Sequence, residues 1–99
     1  MKTAVNEIAG LYVNYDNITS MYGEQLTQVI KAHANEPITV ADSLRAGNCE
    51  SGTMNFKKEA EALSGAKINT LPLCQVAELG CRFGLDFYVG HMISKKYAI

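Results

Sequence analysis

Tyr22-Gly-Glu-Gln-Leu-Thr-Gln-Val-Ile-Lys-Ala-His33 decides the fold class, because Tyr22, Leu26, Val29, Ile30 and His33 recur at the spacing that lines one face of a helix. The helix is predicted to end near Asn35, since Pro37 disfavours helical backbone in the residue before it. Working back from it, Asn17 to Ser20 supply capping side chains, and Val5, Ile8, Leu11, Tyr12 and Tyr15 predict a further helix from Val5 to Tyr15. Working forward, Thr39-Val-Ala-Asp42 is a variant of the capping box, and Gly47 stands where a left-handed residue closes a short helix through Ser43 to Ala46.

Gly47 to Thr53 reads as a loop. Met54 to Leu63 then predicts a helix that presents Phe56, Ala60 and Leu63 and stops at Ser64-Gly65. Thr70 is placed to cap the next helix, with Pro72 in the first turn, Val76 and Leu79 facing inward, and Gly80 as its stop. Leu85 to Ile99 suits a helix capped by Asp86 or a short strand, and is read as helix. The expectation is an α-dominant single domain over residues 1–99. One or two short strands are expected, near Ile38 to Val40 and at the C-terminal end.

Composition narrows the function. The 99 residues are 47% hydrophobic and 19% charged, with nine Lys and Arg against ten Asp and Glu for a net charge of −1. A chain of this length buries roughly two thirds of its unfolded surface, enough for one core. Near-neutral charge argues against binding by phosphate neutralisation, and Lys57-Lys58 and Lys95-Lys96 are too sparse for a nucleic-acid arm. Met1 to Tyr15 has no signal-peptide core, and no apolar run approaches the roughly 18 residues that span a bilayer. The expected location is the cytoplasm of a bacterial cell, where three cysteines serve as core residues, metal ligands or nucleophiles rather than disulfides.

Cys49 and Cys81 each begin a Cys-x-x-Gly segment, a spacing that permits the tight turn of a metal-binding loop. Cys49, Cys74, Cys81 and His91 would complete a tetrahedral Cys3His zinc site, with His33 as the alternative fourth ligand. On one uninterrupted helix Cys74 and Cys81 stand about 10.5 Å apart, whereas thiolates sharing a zinc lie about 4 Å apart. The Zn2+ site therefore requires the chain to fold back at Gly80. Buried core thiols are the competing use, because positions i and i+7 share a helix face.

Catalytic constellations are sparse. Cys49 precedes a predicted helix start, which stabilises a thiolate, and a base at His33 or His91 would make a Cys–His dyad. Ser51-Gly-Thr53 lacks the lysine spacing of a phosphate loop, and Glu59 and Glu61 point apart on a helix. Tyr12, Tyr15 and Tyr22, interleaved with Asn14, Asn17, Thr19 and Ser20, have the composition of a partner-binding surface, though tyrosines also half-cover cores with their hydroxyls wet.

The segment Ser43-Leu-Arg-Ala-Gly-Asn-Cys-Glu-Ser-Gly-Thr53, with Thr39-Val-Ala-Asp42 before it and Phe56 after, resembles a stretch of small uncharacterised bacterial and prophage-type proteins. The resemblance implies structural roles for Gly47, Asn48, Cys49, Gly52 and Thr53. In size and character the chain is also similar to phage-encoded anti-CRISPR inhibitors. The leading expectation is a non-enzymatic phage-type binding protein that inhibits a larger host protein such as a CRISPR effector nuclease. The alternatives are a small enzyme using Cys49 and a zinc-stabilised nucleic-acid accessory domain.

Overall fold

The computed structural model describes residues 7–99. Helix α1 (Tyr15–Tyr22) starts at Asn14, whose side-chain oxygen accepts from the amides of Asp16 at 3.0 Å and Asn17 at 3.3 Å. The sequence expectation of a Val5 to Tyr15 helix is corrected here: residues 8–14 form no helix, while Val5 and Asn6 lie outside the described residues. Asn17 to Ser20 sit inside α1 rather than capping the following helix. Gly23, at φ +90°, separates α1 from α2 (Glu24–Ala32). Glycine takes that positive φ without steric cost, so the apolar spacing that reads as one helix from Tyr22 belongs to two.

The chain continues through β1 (Pro37–Ile38), α3 (Val40–Arg45), α4 (Glu50–Ser64), β2 (Leu71–Pro72), α5 (Leu73–Phe83) and α6 (Asp86–Lys96). The capping box of α3 is complete: the Thr39 hydroxyl accepts from the Asp42 amide at 3.3 Å, and the Asp42 carboxylate accepts from the Thr39 amide at 2.9 Å. Helix α4 begins four residues before its sequence expectation because Cys49 caps it, which makes Ser51, Gly52 and Thr53 helical. Pro72, not Thr70, occupies the cap position of α5, since Leu71 and Pro72 pair antiparallel with Ile38 and Pro37. The strand expected at Ile38 is present. The C-terminal strand is replaced by α6, as its helical reading required.

Helix α5 is the axis of the fold and touches α1, α2, α4, α6 and both strands. Leu73, Ala77 and Leu79 are fully buried there, as are Ile18, Ile30 and Ile93 on the surrounding helices. Each of the large aliphatic side chains contributes about 1.5–3 kcal/mol on burial. Gly80 does not stop this helix. It lies in the interior, where a Cβ would overlap the Tyr22 hydroxyl and come within 2.9 Å of Val89, so it makes room for Tyr22 to donate to the Ala77 carbonyl at 2.8 Å. The stop is Gly84 at φ +69°, with the Leu85 amide donating to the Gly80 carbonyl at 2.9 Å and the Gly84 amide to that of Cys81 at 3.4 Å. That pair of bonds closes the helix as a Schellman motif.

Two polar side chains of α5 are buried for a reason visible in their partners. Gln75 accepts from the Ile8 amide at 2.8 Å and donates to the Ile8 carbonyl at 2.9 Å, so its amide replaces a missing strand neighbour. Glu78 accepts from the Asn14 amide at 2.7 Å and from Arg82 at 2.9 Å. Arg82 also reaches the Tyr12 carbonyl at 3.4 Å. Residues 8–14 are thereby fastened along α5 by side chains one and two turns apart.

Candidate functional site

The feature with binding geometry is an open cavity of about 80 Å3 between α3, α4, β2 and the α5–α6 pair. Ile38, Leu71, Val76, Val89 and Met92 are among its buried lining, with Ala60 and Ile68, and Val40, Phe56, Leu85 and Tyr88 add to its apolar wall. The segment Ser43 to Thr53 builds one side of it. Ser43 and Thr53 share a hydroxyl–hydroxyl bond of 2.8 Å, and Asn48 donates to Ser43 Oγ at 3.0 Å and to the Tyr88 carbonyl at 2.9 Å. Gly47 takes φ +93° at the turn. Gly52 lies against Tyr88, since a Cβ there would meet the ring at 3.2 Å. These contacts join α3, α4 and α6 around the cavity and give Ser43, Gly47, Asn48, Gly52 and Thr53 a structural use.

Cys49 stands close to this wall. It is exposed, and its Sγ accepts from the Gly52 amide at 3.4 Å and lies 3.7 Å from the Ser51 hydroxyl. The Gly52 amide first, and then the Ser51 hydroxyl, hold its thiol below the ordinary range. Cys74 and Cys81 are half-buried on α5, and burial pushes both thiols up.

The proposed metal ligands are not gathered. Helix α5 runs unbroken through Gly80, so the fold-back that would bring Cys74 to Cys81 does not occur. His91 Nε2 lies 2.7 Å from the Ala46 carbonyl, an arrangement that makes it the donor, while His33 Nδ1 meets Glu36 at 3.1 Å with its ring stacked on Tyr97 at 4.5 Å. Among the described residues no group of three or more His, Cys, Asp or Glu side chains could hold a metal ion.

The three tyrosines also have different surroundings. Tyr12 is 71% exposed, Tyr15 is half-buried with Lys31 Nζ 5.5 Å from its ring centre, and Tyr22 is committed to the α5–α6 interface. The aromatic residue that sequence reasoning passed over is Phe87, 81% exposed and edge-to-face with Tyr88 at 6.2 Å. Its position was readable, because Val89, Met92 and Ile93 define the inward face of α6 and Phe87 lies opposite Val89 on the helical wheel.

A second polar cluster ties the end of α6 to α3. Lys96 Nζ lies 3.1 Å from Asp42 and 3.7 Å from Glu36, and Arg45 meets Asp42 at 2.8 Å. Burial pushes the Asp42 carboxyl up, but the Thr39 amide together with Lys96 and Arg45 outweighs it and holds the group below its usual range. These bonds stabilise the fold and leave the cavity wall undisturbed.

No family model, curated protein or solved structure matches the chain. No helix among the described residues is long and apolar enough to cross a membrane.

Proposed function

We propose that the chain is a small non-enzymatic binding protein that occupies a surface on a larger protein, with the contact centred on Phe87 and Tyr88 beside the cavity. The carrying observation is an aromatic ring 81% exposed on α6, a helix whose Val89, Met92 and Ile93 turn inward. Exposed aromatic anchors dominate the energy of protein contacts. Phe87→Ala is expected to leave the melting temperature unchanged and to abolish capture of the partner from a bacterial lysate. Equal capture by both proteins would overturn the assignment of the contact to Phe87.

The concrete form of this reading is a phage-type inhibitor acting in the bacterial cytoplasm on a host defence protein such as a CRISPR effector nuclease. It is motivated by the size and near-neutral charge of the chain. Adding the purified protein to a panel of effector nucleases tests it. Loss of target cleavage that Phe87→Ala relieves supports the inhibitor form, and unchanged cleavage across the panel sinks it.

The lowered thiol of Cys49 favours a second reading, a small cysteine-dependent enzyme. A substrate-dependent activity lost in Cys49→Ala would support that reading. Its test must include thiol-modification controls, because an exposed thiolate reacts with electrophiles without turnover.

A further inference from the structure

Most polar side chains on the cavity wall already have partners, and that restricts what can enter. Ser43 bonds Thr53 and Asn48, Thr39 bonds Asp42, and Lys57 pairs with Glu61 at 3.0 Å. Asn69, the remaining polar lining residue, is exposed. A charged group carried inside would shed its water and compete with bonds already made. The rest of the lining is hydrocarbon apart from the Met92 thioether and the Tyr88 hydroxyl, and Met92 adapts readily to the shape of an occupant.

Volume then selects among apolar occupants. A dry engineered cavity of about 150 Å3 takes benzene, and this one is about 80 Å3 with an open side. A whole aromatic ring is not enclosed in that volume, whereas the end of a straight chain fits with its remainder outside. The geometry points to a binding site for the end of an unbranched saturated hydrocarbon chain, uncharged over its buried part, between α3, α4 and α6. This inference concerns a small ligand: Tyr88 borders both the cavity and the proposed protein contact, whereas Phe87 lies outside the lining.

The test is titration of the methyl-labelled full chain with straight alcohols from 1-propanol to 1-octanol, with the matching carboxylates, and with benzene. Saturable shifts are expected at the methyl groups of Ile38, Leu71, Val76, Val89 and Met92. Affinity is expected to tighten about fourfold for each added buried methylene, then to level off once the cavity is full. Alcohols and carboxylates of equal length should agree if the head group stays outside; a preference for carboxylates would identify a fatty-acid source, still with a buried chain end.

Ala60→Leu fills the lining from α4 and is expected to weaken 1-hexanol binding at least tenfold while the protein stays folded. If it does not fold, Val40→Ile makes the same test from α3. Phe87→Ala should leave alcohol binding unchanged, which separates this site from the protein contact. Non-saturating shifts, no dependence on chain length, benzene binding as tight as 1-hexanol, or binding indifferent to the filling variant would each overturn the inference and mark the cavity as a packing imperfection.

Discussion

At the scale of single residues, Gly80 and Tyr22 form one unit. A Cβ at Gly80 would overlap the Tyr22 hydroxyl that donates to Ala77, and would also press on Val89. Gly80→Ala is expected to destabilise the fold by about 1–3 kcal/mol through overpacking, and Tyr22→Phe by about 1 kcal/mol through the lost hydrogen bond. The double variant should cost less than the sum, because removing the hydroxyl removes part of the clash; strict additivity in urea unfolding would refute the coupling. Cys49 carries a separate prediction. Its exposed, lowered thiol should react with disulfide reagents ahead of Cys74 and Cys81, with a midpoint below the roughly 8.5 of a free cysteine. Labelling of all three at one rate in the native protein would contradict that.

At the scale of elements, local signals and long-range ones separate cleanly. The α3 capping box and the Gly65 end of α4 were legible because their partners lie three or four residues away. The end of α5 was misplaced by four residues, since Gly80 and Gly84 look alike until Tyr22, 58 residues upstream of Gly80, shows why the first must be small. The cavity was illegible for the same reason: its lining comes from β1, α3, α4, β2, α5 and α6. Asp42 links the α3 cap to α6 and gives a pH dependence with a definite sign. Its carboxyl lies below the ordinary value near 3.9, so its stabilisation is present above that value and disappears as pH falls through the lowered native one. Asp42→Asn is expected to cost about 1–3 kcal/mol at pH 7, with the difference from the natural protein shrinking below pH about 4. An unchanged difference down to pH 2 would assign the loss to packing alone.

At the scale of the whole molecule, the α-dominant class was legible from apolar spacing, whereas the supposed four-ligand site was not a property that spacing could establish. Zinc would require Cys81 to leave the helix that the Leu85–Gly80 and Gly84–Cys81 bonds close beyond it. Elemental analysis of the purified protein is expected to find no bound zinc that is lost in Cys81→Ser; a stoichiometric ion dependent on that residue would demand a different arrangement of α5. The molecule, 12.4 Å in radius of gyration, has the roughly 13 Å expected of a 100-residue domain.

The fastening of residues 8–14 to Gln75, Glu78 and Arg82 also orders events in time. The Ile8 contacts span 67 residues and that of Asn14 spans 64. During synthesis residues 8–14 therefore gain these partners only after α5 has been made and has left the ribosome. Chains that stop before Gln75 lack the side chains that hold Ile8 and Asn14, so they emerge with that segment unsecured.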